Sequence, residues 1–69
     1  MLYIDFPSIL TDAETGAPYA LVYRDEADRS WYAAEPTPYG PGRQIAGPVH
    51  SQRIAERLAK REHRKAGAR

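Results

Sequence analysis

The sequence contains no cysteine, which removes disulfide staples and every cysteine-based zinc site from consideration. It is also poor in large aliphatic side chains. Only eleven of its 69 residues are Leu, Ile, Val or Phe, a share below the roughly 20% that often accompanies disorder. No apolar run approaches the roughly 18 residues of a membrane span, and the start, Met1-Leu2-Tyr3-Ile4-Asp5, has no basic segment ahead of its apolar residues such as a secretory signal carries. The expectation is a cytoplasmic protein without membrane contact. The parts of common catalytic and ligand-binding motifs are missing too. Neither a GxxxxGK[ST] phosphate loop nor an HExxH pair is present, and Ser8, Ser30 and Ser51 lie in no strand-turn-helix elbow. His50 and His63 have no cysteine and no spacing suited to zinc. Asp25, Glu26 and Asp28 are near enough for a hard cation, yet their loop lacks the glycine and distal bidentate Glu of an EF-hand, so a solvated loop is expected. The chain therefore reads as non-enzymatic, with no catalytic residue, no metal and no cofactor.

What is there points to one small folded domain over residues 1–69. A chain this short buries only about 60% of the surface its unfolded form exposes. Against that, net charge is only +1, and Trp31 with five tyrosines adds large apolar area, which favours folding over disorder. So thin a core invites help from a bound partner or a second copy, and a homodimer is one expectation. The charge is unevenly laid out. Residues 1–52 carry a net −4 and residues 53–69 a net +5, the strongest global signal in the chain, which makes the C-terminal segment either a surface for an oppositely charged partner or a solvated helix face.

Leu2, Ile4 and Phe6 alternate with Tyr3 and Asp5, which predicts a strand over 2–6, ended by Pro7. Thr11 to Gly16 is turn chemistry. PYALVYR at 18–24 and WYAAE at 31–35 predict a hairpin across the polar residues 25–30. Tyr19, Tyr23 and Trp31 fall in phase there as a cross-strand cluster, with Tyr32 on the opposite phase. In EPTPYGPGRQIAGPVHSQRI, Pro36-Thr37-Pro38 suits polyproline II and Gly40-Pro41-Gly42-Arg43 a type II turn. A short fourth strand follows at 43–46, then a Gly47-Pro48 bend that redirects the chain. Ser51 is a good N-cap for a helix over 52–66, with a frayed tail at 67–69. On that helix Ile54, Ala55, Leu58, Ala59 and Ala66 share one side, with Glu62 in the same arc marking where sheet contact ends. Arg53, Arg57, Lys60 and Arg64 line the other side, with Arg61 beside them. The fold class is α+β: a small antiparallel sheet of three or four strands packed against one C-terminal amphipathic helix.

In size, lack of cysteine and strand-strand-helix order the chain resembles the small proteins encoded by phages and mobile elements, among them anti-CRISPR inhibitors that occlude a surface of a host complex. The resemblance covers general format and no residue pattern. It implies a stoichiometric binder acting on a larger host protein or complex with an acidic surface. The partner-binding residues expected on this reading are Arg53, Arg57, Lys60, Arg61 and Arg64 from the helix, with Tyr39 and Arg43 from the connection, placed near the start of the basic ridge. The alternative is a nucleic-acid binder using the same ridge to neutralise phosphates. Against it stand a pI of about 8.1, where dedicated binders exceed about 9, and the acidic first half.

Overall fold

The computed structural model describes residues 7 to 67. In chain order it has β1 (Ser8–Thr11), β2 (Pro18–Asp25), β3 (Ser30–Thr37), β4 (Gly40–Val49) and α1 (Gln52–Gly67). The strands form one antiparallel sheet in the order β1-β2-β3-β4, so each strand lies beside its sequence neighbour and α1 returns over one face. This is the expected α+β fold. The strand expected over 2–6 and the tail at 68–69 lie outside the described residues. β1 was not expected, because four residues with adjacent Ile9 and Leu10 show no alternation. Pairing with β2 holds it, Ser8 opposite Val22 and Leu10 opposite Ala20.

The hairpin of β2 and β3 stands where the sequence placed it, with Leu21 opposite Ala34 and Tyr23 opposite Tyr32. Its loop, residues 26–29, is closed by its own acids. The Asp25 carboxylate accepts from Ala27 N–H at 2.8 Å and the Asp28 carboxylate from Ser30 N–H at 2.9 Å, while Arg29 takes the left-handed conformation at φ 60.

The proline-rich stretch departs most from expectation. β3 continues through Pro36-Thr37, so these residues pair with β4 and are not a free polyproline segment. The chain reverses at Pro38-Tyr39 between paired Thr37 and Gly40. The Thr37 hydroxyl donates to Gly40 C=O at 2.7 Å and accepts from Tyr39 N–H at 3.1 Å. The expected type II turn at 40–43, the short strand at 43–46 and the Gly47-Pro48 bend all fall inside one ten-residue strand. Three register shifts against β3 each insert one extra residue into β4, and such bulges bend and twist a strand without ending it. Because β4 is an edge strand, Pro41 and Pro48 leave no central ladder bond unmade. Gly47, at φ 109, presses on β3: a Cβ there would lie 2.6 Å from the Trp31 carbonyl oxygen and 2.8 Å from the Tyr32 ring.

The core under the helix is made of Leu10, Ala20, Val22, Ala33 and Ala46 from the sheet and Ala55 and Ala59 from α1, flanked by Tyr19, Trp31, Ile45, Val49 and Leu58. Alanine dominates on both sides, which lets helix and sheet approach closely and compensates for the shortage of large aliphatics. Alternation puts Leu21 and Ala34 on the other face, and both are fully buried there. The central strands are thus covered on both faces, more than a sheet with one helix-covered face implies.

The tyrosines do not form the expected single cluster. Tyr23 stacks on Tyr32 with ring centroids 5.7 Å apart, and Trp31 packs under the helix. Tyr19 faces the helix because the register between β1 and β2 slips after Leu10, leaving Tyr19 unpaired between Ala20 and Pro18. That bulge moves its side chain out of the period-2 phase.

Candidate interaction surface

Ser51 caps α1 as expected: its hydroxyl accepts from Ile54 N–H at 3.1 Å. The fully buried stripe Ala55–Ala59 then orients the helix and turns Arg53, Arg57, Lys60, Arg61 and Arg64 outward, where all five are exposed. Among the described residues none of the five pairs with a carboxylate, whereas Arg43 holds Glu35 at 3.1 Å and Lys65 holds Glu62 at 3.6 Å. Glu56 lies among Arg53, Arg57 and Lys60 around a shallow depression, and its carboxylate accepts from the Gln52 amide at 3.1 Å. The ridge is therefore a run of solvated bases interrupted by one hydrogen-bonded acid.

Tyr39 stands at the tip of the β3–β4 turn and is 93% exposed. Arg43 sits on β4 beside the later turns of the helix, lining a groove with Ala59, Glu62 and His63. The expected position of Tyr39 and Arg43 near the start of the ridge is thus corrected. Val49, at the far end of β4, lies opposite Trp31 and leads into the helix, so α1 runs back along the sheet and its last turns pass Arg43 to Ile45 of β4. Arg43 lies by the last turns of the helix instead, and Tyr39 stands further along, at the turn.

The same region holds a cluster that sequence reasoning missed. His63 faces the sheet, on the same stripe as Ala59 and Ala55, four and eight positions before it. That spacing was visible in the sequence. Glu62 therefore does not mark the end of contact. The His63 ring lies flat on the Tyr19 ring, with centroids 3.8 Å apart and planes 6° from parallel, and its Nε2 is 2.9 Å from Asp12 Oδ2. The other Asp12 oxygen accepts from the backbone N–H of Glu14 at 2.8 Å and of Thr15 at 3.1 Å. Asp12 thereby ties the β1–β2 loop to the last turns of α1. Its carboxyl is held below the usual range, first by His63 and then by the two N–H groups. The Tyr19 phenol is pushed up by burial and by the Asp12 charge.

Tyr19 and His63 form one side of the groove, whose volume is ≈ 410 Å³. Ile45, Ala59 and Ala66 give it apolar lining, and Glu35, Arg43, Gln44 and Glu62 give it polar lining. Asp25 and Asp28 are committed to their own loop. The Asp28 carboxylate accepts from the Tyr32 hydroxyl, which lowers the carboxyl and pushes the phenol up to about 12. Among the described residues no helix is long and apolar enough to cross a membrane. In comparison with known proteins, the chain matches no family model, no curated protein and no solved structure.

Proposed function

We propose that this protein is a small non-catalytic interaction module whose basic helix face docks on an acidic surface of a larger protein or complex and acts by stoichiometric occupation of that surface. The observation that carries this reading is the contrast in charge pairing. Arg43 and Lys65 are matched by carboxylates within the fold, while the five bases of the ridge have no carboxylate partner among the described residues. The helix spends its other face on the sheet, so the ridge is free to face a partner, and exposed Tyr39 offers rigid amphipathic area at the β3–β4 turn. Isolated surface bases contribute little to stability, so their concentration on one face is better accounted for by recognition than by folding. The inhibitory role implied by resemblance to phage and mobile-element proteins belongs to the same proposal.

The test is recovery of a partner from a lysate of the source cells on the immobilised protein, compared with the Arg57→Glu and Arg61→Glu double variant. Stoichiometric recovery of one protein, lost in the double variant while its circular dichroism is unchanged, is the expected result. Undiminished recovery by the double variant removes the ridge as the site. Fluorescence anisotropy with generic duplex and single-stranded nucleic acid separates the alternative, since phosphate-driven binding weakens steeply with salt. Light scattering over a concentration series decides whether the free protein is a dimer.

A further inference from the structure

The groove between the last turns of α1 and the β3–β4 hairpin has chemistry opposite to that of the ridge. Its polar lining is rich in acceptors. Glu35 and Glu62 each hold a surface base through Oε2, and the other oxygen of each has no partner among the described residues. The Gln44 amide donates to Gly47 C=O at 2.6 Å, which leaves its carbonyl oxygen as an acceptor, and the Tyr19 hydroxyl accepts from no described group. Arg43 is the lone strong donor in the lining, and its side chain is 81% exposed, so it stands at the rim. Ile45 and buried Ala59 supply the apolar part of the same lining, with the stacked Tyr19–His63 pair.

The shape narrows the ligand. A volume of ≈ 410 Å³ is at the small end of ligand pockets, which run from about 300 to 1,000 Å³, and suits one long side chain better than a drug-sized molecule. Two carboxylates with spare oxygens in one groove with aliphatic lining match a long methylene stem that ends in a planar cation with several N–H donors. Guanidinium meets carboxylates through a fixed fork of donors, whereas ammonium is a compact and more strongly hydrated point charge. The Glu35–Arg43 pair already shows a carboxylate of this groove engaging a guanidinium. The geometry points to a binding site for an arginine side chain of a protein partner, distinct from the ridge. The site does not depend on the ridge reading: it stands or fails on its own ligand. Were both used together, the partner would present an acidic patch with an arginine beside it.

The test is titration of the isotopically labelled protein with N-acetyl-arginine methylamide, followed by NMR, with the lysine and leucine analogues and free arginine as controls. Expected are shifts centred on Tyr19, Gln44, Ile45 and Glu62, weaker binding of the lysine analogue and none of the leucine analogue. Loss of one charge-assisted contact in Glu62→Gln should weaken binding about tenfold or more. Ala66→Phe, an exposed and charge-neutral change, should block the groove without altering the fold, and Arg43→Ala should tighten binding by releasing Glu35. Shifts spread equally over Glu14, Glu26 and Asp28, equal affinity for the lysine analogue, or full binding by Ala66→Phe would each overturn the assignment. Free arginine binding more tightly than the blocked amide would assign the groove to a free amino acid and overturn the side-chain source. Arginine binding in a protein that recovers no ridge-dependent partner would leave this site standing while the ridge reading fails.

Discussion

Leu21→Ala measures whether the face of the sheet away from α1 is a true core. A helix covering one face would leave the opposite face half-wet, and truncation there would cost little. In the structure Leu21 is fully buried on that face, opposite equally buried Ala34 and with Ile9 across from it on β1. Removing a side chain so enclosed loses its transfer free energy and leaves a cavity, together about 2 to 5 kcal/mol for Leu→Ala. Small domains have about 0.05 to 0.15 kcal/mol of stability per residue, so a loss near 3 kcal/mol removes a large part of the total. At about 4 to 8 °C per kcal/mol for a domain of this size, the melting temperature should fall by roughly 12 to 24 °C. Thermal unfolding followed by far-ultraviolet circular dichroism, with a urea titration for the free energy, gives both values. Ile9→Ala is the internal control, since Ile9 is 36% exposed and its truncation should cost well under half as much. A Leu21→Ala change no larger than that of Ile9→Ala would refute the two-sided core.

Gly47→Ala should destabilise by more than a surface change, because the new methyl would meet the Trp31 carbonyl and the Tyr32 ring at a backbone angle L-residues rarely adopt. The urea midpoint should drop by an amount equivalent to about 1 to 3 kcal/mol, and an unchanged midpoint would mean that β4 does not press on β3 there. For Tyr32, the hydrogen bond to Asp28 raises the folded-state phenol from 10.0 to about 12, so between those values the folded protein keeps a proton that the unfolded chain has released. Stability from this bond is complete below pH 10.0 and is lost as pH rises through about 12. Absorbance titration of phenolate should show one tyrosine ionising later than the others, a step that disappears in Tyr32→Phe and moves to lower pH in Asp28→Asn. Simultaneous ionisation of all tyrosines would contradict the bond.

Signals carried by local chemistry were legible in the sequence. The β2–β3 hairpin followed from aromatic and β-branched runs around a polar loop, the helix from the Ser51 cap and its two-sided pattern, and the outward face of the five bases from spacing alone. The proline-rich stretch was misread because Gly and Pro usually punctuate a chain. Here an edge position makes prolines tolerable, and three bulges absorb the misfit, neither of which is written in local composition. The groove was missed because its walls come from residues far apart in the chain, Tyr19, Arg43 and His63.

The sequence by itself determined that this is a small cysteine-free α+β chain with its positive charge gathered on one C-terminal helix, since composition and 3.6-residue periodicity are properties of the chain alone. Only the tertiary structure decided which way the helix runs over the sheet, and hence which strand residues meet which helix turns. A one-residue slip between β1 and β2 turned Tyr19 onto His63. Because strand side chains alternate with a period of two, one extra residue moves a side chain to the other face, and that slip placed an aromatic wall beside the carboxylates of the groove.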